Sequence, residues 1–239
     1  MTSLLDDTRI VLLRPRWAAN LGSVARAMKN FGLRRLSIVQ SCIGSWADAY
    51  RMAVKAGDLL DGAVCTDSLA DALAESRWVV GTTNDPPPGA ELLTPRDVAR
   101  LATERGAPTL LFGGEINGLD PAELLRCHSV SMIPADAAQS SLNLAQAVCV
   151  YAAELYAAHG AAVGGAESVP PTAAPVALLE RLEALLAKEL QDSAWADADR
   201  GKHAVAELMQ PLYRARLTDA EVRAWLVALQ RLGQARRRG

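Results

Sequence analysis

Along the first 160 residues the apolar positions keep changing period, from short continuous runs to the i, i+3, i+4, i+7 recurrence of a helix face. Arg9–Leu13 (RIVLL) reads as a buried strand. After a loop over 14–19, Leu21, Val24, Ala25, Met28 and Phe31 mark one face of a helix that Asn20 can cap and Gly32 can end. Residues 36–39 form the next strand, and further strands are predicted over 63–66, 78–81, 109–113 and 130–133. Helices are predicted over 68–75 after Ser68, over 95–104 with Pro95 in first position after Thr94, and briefly from Pro121. Another leads away from Ser140 and Ser141 through Leu155. Strands alternating with helices in this way give a parallel sheet covered on both faces. The fold class is α/β.

The pattern breaks over 160–175, where GAAVGGAESVPPTAAP is small, rich in Gly and Pro, and nearly uncharged. Such a stretch reads as a linker. Three helical patterns follow at about 174–190, 200–214 and 219–232. The last opens with the capping box Thr218-x-x-Glu221 ahead of Val222, Trp225, Leu226 and Leu229. The expected organisation is an α/β domain over 1–159, a linker over 160–175 and a small α-helical unit over 176–239, either an accessory domain or a dimer-packing element. The closing Arg236, Arg237 and Arg238 are either a solvated tail or a phosphate contact.

Composition narrows the function class without naming it. With 50% apolar and 22% charged residues, the 239-residue chain is an ordinary globular protein. No apolar run approaches the ~18 residues of a membrane span, and no signal-peptide pattern opens the chain, so a cytoplasmic protein is expected. A net charge of −2 argues against a surface basic all round, though it permits a local basic patch. Arginine outnumbers lysine 21 to 4, which fits either a GC-rich coding bias or phosphate recognition. Cys42, Cys65, Cys127 and Cys149 are far apart in sequence and are expected to be buried, reduced thiols. Together with the scattered His128, His159 and His203 they lack zinc-ligand spacing, so no metal site is expected.

Three segments of the α/β half need an explanation beyond packing. In NLGSVARAMKNFG (20–32), Gly22, Arg26, Lys29 and Asn30 lie off the apolar stripe of a helix that follows a strand. Ligands in open α/β sheets bind beyond the strand carboxyl ends, where such helix starts lie; a solvated helix face is the plainer reading. In LLFGGEINGL (110–119) a strand enters a glycine-rich turn carrying Glu115. This is either a simple turn or one whose backbone approaches a ligand. In QSSLNLAQA (139–147), Ser140, Ser141 and Asn143 read as helix caps or as site residues.

Taken together these segments resemble the SPOUT superfamily of RNA methyltransferases, in the branch that methylates ribose 2′-hydroxyls, and the TrmJ-type tRNA enzymes in particular. NLGSVARAMKNFGL (20–33), VVGTT (79–83), LLFGGEINGL (110–119), SSLNLAQAV (140–148) and LYRARLTDAEVRAWL (212–226) carry the likeness, in the family's order. The resemblance implies a SPOUT fold with a C-terminal trefoil knot, S-adenosylmethionine as methyl donor, and a homodimer across which the RNA lies. It assigns cofactor binding to Thr82, Thr83, Asn84, Gly113, Ile133, Ser140, Ser141 and Leu142, largely through backbone groups. It gathers Asn20, Arg26, Glu115, Ser141 and Asn143 as the catalytic neighbourhood, with Arg16, Arg26 and Lys29 facing RNA. The expected reaction is methylation of a tRNA ribose, best matched to a cytidine or uridine at anticodon-loop position 32. An rRNA substrate and a non-catalytic RNA-binding or scaffold paralogue are the alternatives.

A 2′-hydroxyl must be held in line with the methyl group and partly deprotonated. Because a guanidinium stays protonated at working pH, Arg26 is better suited to stabilise the developing alkoxide than to act as a base. Four departures bear on substrate choice. The loop before Asn20 reads PRWAA, where relatives commonly carry a smaller glycine-containing turn. Asn84 and Asp85 replace a frequent Ala-Arg pair, three prolines follow at 86–88, and Gly114 stands where an arginine is frequent.

Overall fold

The computed structural model describes residues 3–162, 172–193 and 201–236. Its seven strands are β1 (Arg9–Leu13), β2 (Arg35–Val39), β3 (Val64–Thr66), β4 (Val79–Thr82), β5 (Leu92–Leu93), β6 (Thr109–Phe112) and β7 (Ser129–Ser131). They form one sheet in the order β3-β2-β1-β6-β4-β7-β5, with every pairing parallel. The helices are α1 (Leu4–Asp7), α2 (Ala18–Asn30), α3 (Ala47–Ala53), α4 (Gly57–Asp61), α5 (Leu69–Leu73), α6 (Pro95–Arg105), α7 (Pro121–Leu125), α8 (Leu144–Ala162), α9 (Val176–Asp192), α10 (Gly201–Arg214) and α11 (Asp219–Arg236). The α/β expectation holds, and no helix among the described residues is long and apolar enough to cross a membrane.

Period-two alternation sorts the strand side chains onto two cores. Ile10, Leu12, Ile38, Val80, Leu110 and Phe112 face α2, α6 and α8. Val11, Leu13, Val39, Val79 and Leu111 face α5, α7 and the start of α9. Sheet-facing helices therefore cover both sides, as a parallel sheet requires. Thr94 and Asp120 open α6 and α7 with reciprocal capping boxes to Asp97 and Glu123, each followed by proline. Ser68 caps α5, and Gly32 follows α2 at φ 73°.

Several expectations need correction. The helix over 18–30 starts two residues before Asn20: Trp17 is its N-cap and offers no side-chain hydrogen bond. Asn20 lies inside the first turn, and its amide is engaged elsewhere. Gly22 is no ligand-facing position, since a Cβ there would meet the Ala49 carbonyl oxygen at 2.1 Å where α2 crosses α3. Neither Ser140 nor Ser141 caps α8. Asn143 does so, accepting from the Ala145 N–H at 2.8 Å while its own N–H donates to Gln146 Oε1 at 3.1 Å. All four cysteines are free, but only Cys127 is buried. Cys65 sits on edge strand β3 and Cys42 in the loop after β2, and both are exposed. On α11, Val222 is buried and the capping box forms, whereas Trp225 is 46% exposed.

The C-terminal helices share a core of their own around Leu179, Leu182, Met209, Tyr213 and Val222. They also dock on the amino ends of the strands. Val176 N–H donates to the Ser76 carbonyl at 2.9 Å, and the Tyr213 ring meets His128 edge-on with centroids 5.8 Å apart. Arg216, at φ 52°, lays its guanidinium over the Trp78 ring at 5.3 Å. Most of the 160–175 linker, with Arg237 and Arg238 of the basic tail, falls outside the described residues.

Candidate active site

A cleft of about 660 Å³ opens at the carboxyl ends of β4, β6 and β7. This is where a parallel sheet presents its loops, and the volume is in the range of small-ligand clefts (roughly 300–1,000 Å³). Its walls come from three loops. After β4, Thr82 and Thr83 lead to Asn84, Asp85 and the three prolines at 86–88. After β6 comes the turn from Gly113 to Gly118, and before α8 come Ser140, Ser141 and Leu142. All eight residues expected to bind the cofactor line this one cleft, Ile133 included.

Local hydrogen bonds set the shape of each wall. Thr82 Oγ1 donates to the Leu111 carbonyl at 3.0 Å, and Thr83 Oγ1 accepts from the Asp85 N–H at 3.0 Å, turning the chain outward. Gly113 is required by close approach: a Cβ there would meet Gly118 backbone atoms at 2.0–2.3 Å. Gly114 is required too, for its Cβ would meet the Arg14 carbonyl oxygen at 2.4 Å. Arg14 itself adopts φ 55° and forms a two-pronged ion pair with Glu123 on α7. That pair raises the Arg14 pKa above the ordinary arginine value. The loop after β1 is thereby tied to the helix that follows the glycine turn.

Glu115 organises the cleft mouth. Its Oε2 accepts from the Arg16 N–H at 2.9 Å, and its Oε1 accepts from Asn20 Nδ2 at 3.0 Å and, more weakly, from the Trp17 N–H at 3.4 Å. A carboxylate only accepts, so it turns the Asn20 amide nitrogen toward itself and the oxygen away. That oxygen accepts from Asn143 Nδ2 at 2.9 Å, which leaves Asn143 Oδ1 to cap α8. Glu115, Asn20 and Asn143, far apart in sequence, form one polarised chain.

The remaining expected residues are placed less compactly. Arg26 is exposed, makes no hydrogen bond or ion pair among the described residues, and is not part of the cleft lining. Six residues of helix, or about 9 Å of rise, separate it from Asn20. Arg16 is likewise exposed, its side chain without a partner among the described residues. Lys29 lies in the last turn of α2 and is held by Asp58, with Nζ 2.6 and 2.7 Å from the two carboxylate oxygens. Among the lining residues that the sequence does not mark as site residues, three stand out for their side chains. Phe112 and Tyr151 meet edge-on at 5.6 Å along the cleft floor, and the Tyr151 hydroxyl donates to Ser131 at 2.7 Å. Burial pushes the Tyr151 hydroxyl up to about 12. Asp85 is the third, signalled only by its departure from the expected Ala-Arg pair.

The family model described as the SpoU rRNA Methylase family matches residues 7–153, from β1 into α8. The chain belongs to the SpoU methylase family. Among its relatives, the tRNA (cytidine/uridine/adenosine-2′-O-)-methyltransferase TrmJ of Pseudomonas aeruginosa is 34% identical over 233 residues, covering 92% of this chain and 91% of that one. The tRNA (cytidine/uridine-2′-O-)-methyltransferase TrmJ of Pectobacterium atrosepticum is 39% identical over 163 residues, 65% of this chain and 66% of its own. The crystal structure of TrmJ from Z. mobilis ZM4 superposes with a TM-score of 0.82 at 28% identity, covering 94% of this chain and 98% of that one. In this SpoU methylase the match to the Zymomonas and Pseudomonas proteins runs through the C-terminal helices as well as the sheet.

Proposed function

We propose that this SpoU methylase is an S-adenosylmethionine-dependent RNA ribose 2′-O-methyltransferase acting on tRNA. The observation that carries the reading is the coincidence of the cleft with the Glu115–Asn20–Asn143 chain at its mouth. One is a small-ligand site walled by backbone, and the other is an oriented set of amides where a ribose could be held. The likeness to tRNA methyltransferases extends through the C-terminal helices, which favours tRNA over rRNA.

The cleft fits the cofactor by size and by its donor set. Backbone of the loops after β4 and β6, the hydroxyls of Ser140 and Ser141, and the apolar surfaces of Leu142, Ile133 and Phe112 would hold it. Bound there, S-adenosylmethionine supplies an electrophilic methyl group. The protein's part is positioning and charge. Asn20 and Asn143, fixed in orientation by Glu115, hold the ribose beside Ser141. Glu115 anchors the Arg16 and Trp17 N–H groups and the Asn20 amide, and so serves as a positioning residue. Arg26 stabilises the developing alkoxide and the adjacent phosphate, and Arg16 adds a second free cation. Lys29 retains an RNA-facing role only by leaving Asp58. Because Arg26 stands outside its own chain's cleft, we infer a homodimer in which the RNA crosses both subunits. A cytidine or uridine at anticodon-loop position 32 is the proposed target.

Transfer of radiolabelled methyl from S-adenosylmethionine to total tRNA and, separately, to rRNA tests this reading. Nuclease digestion should yield a labelled 2′-O-methylnucleoside from the tRNA pool. Label confined to rRNA would move the substrate, and binding of S-adenosylhomocysteine without transfer to either pool would favour a scaffold paralogue.

A further inference from the structure

The start of α2 is an unusual place for a tryptophan. Ser, Thr, Asp or Asn would cap the helix there, and Trp17 does not. Its backbone is nonetheless held on both sides. The Trp17 carbonyl accepts from the Asn20 and Leu21 N–H groups at 3.0 and 3.2 Å, and the Arg16 N–H is fixed to Glu115 at 2.9 Å. The indole belongs to no buried core, its ring nitrogen has no partner among the described residues, and it is 49% exposed. Ile116, 60% exposed on the glycine turn that carries Glu115, adds a second apolar side chain at the same mouth. The unpaired Arg16 is its chain neighbour.

A large flat ring on a fixed backbone, beside amides that orient a ribose and a free guanidinium, has the composition of a base-stacking platform. Unpaired bases stack on aromatic side chains, whereas bases within an A-form duplex do not offer their faces. We propose that Trp17 stacks on a base of the substrate RNA at or next to the methylated nucleotide, with Arg16 on the neighbouring phosphate. This deepens the function proposed above and rests on it: the substrate is an unpaired loop nucleotide whose base is splayed onto Trp17.

The test compares wild type, Trp17→Phe and Trp17→Ala in the full chain. For methylation of unmodified tRNA, Trp17→Ala should raise KM roughly 5- to 100-fold, the span expected from loss of one base–aromatic stack. Trp17→Phe should restore it to within a few-fold, and S-adenosylhomocysteine affinity should be the same in all three. Titration with a stem-loop RNA should quench wild-type tryptophan fluorescence, with most of that quench absent in Trp17→Phe; a fully paired duplex should quench far less. Wild-type KM in Trp17→Ala, or equal quenching by loop and duplex, would overturn the proposal. So would a change in oligomeric state on Trp17→Ala, which would assign the indole to a contact between two copies of the chain. Because quenching needs no turnover, it reads Trp17 separately from the methyltransferase assignment. A wild-type protein inert on tRNA would sink that assignment, while loop-specific quenching would still stand for the stack.

Discussion

At the carboxyl ends of β4, β6 and β7 the chain leaves backbone, hydroxyls and amides around an open cleft. At the amino ends of the same strands it does the reverse. There Trp78, His128 and Tyr213 are 1–2% exposed, Arg216 lies across Trp78, and the start of α9 bonds to the Ser76 backbone. Even the polar atoms differ in their treatment. Near the cleft mouth Glu115, Asn20 and Asn143 satisfy one another, while at the sealed end His128 Nε2 and Arg216 Nε are buried without a partner among the described residues. One end is arranged to meet something from outside. The other spends buried polar groups to fix the C-terminal helices against the sheet.

The contrast predicts that the two ends fail in different assays. The largest effect belongs to the sealed end. Tyr213→Ala removes a buried ring shared by the helical core and His128, and should lower unfolding free energy by about 3–5 kcal/mol. Urea denaturation measures it; the folded fraction should keep its cofactor affinity, and a cleft that loses ligand binding in parallel would erase the distinction between the ends. Next comes Arg26→Ala, with transfer reduced on the order of 10²-fold, S-adenosylhomocysteine binding intact and the urea midpoint unmoved. Unchanged turnover in that variant would remove Arg26 from the mechanism.

The smallest effect is a pH dependence confined to the sealed end. Burial, reinforced by Arg216, disfavours the charged imidazole and pushes His128 down to about 4 from an ordinary value of 6.5. The unfolded chain binds a proton there that the folded chain refuses, so stability is complete above pH 6.5 and falls as pH drops toward 4. Between pH 7 and pH 5 the loss should be about 2 kcal/mol, and it should be smaller in His128→Gln. Equal pH slopes for the two proteins would show that His128 is not the group responsible.

The sheet is legible in sequence because its central strands β1, β2, β4 and β6 are compact β-branched or leucine runs; β7, Ser-Val-Ser, lies one to two residues before its expected span, and the two-residue β5 carries no such signal. The helices α3 and α4 are not legible there: seven and five residues span at most about two helical turns, too few for a clear period, and neither has a side-chain cap. The cleft walls were readable through family motifs, since loops that offer backbone to a ligand keep recognisable glycine and hydroxyl patterns. The role of Glu115 was not. Its partners are 95 to 99 residues away in sequence, and only folding shows that it fixes Asn20 rather than facing solvent. Nothing local marked His128 either, because its burial depends on Tyr213, 85 positions on.

The crowding between Gly114 and Arg14 has a consequence for how this chain can change. Any side chain at position 114 would collide with the Arg14 carbonyl, which is held by that residue's left-handed backbone and its ion pair to Glu123. An arginine placed there alone would therefore break the loop that leads to Arg16, Trp17 and Asn20. A larger residue at 114 is accommodated only if position 14 changes with it, so the two positions are coupled and can vary only as a pair.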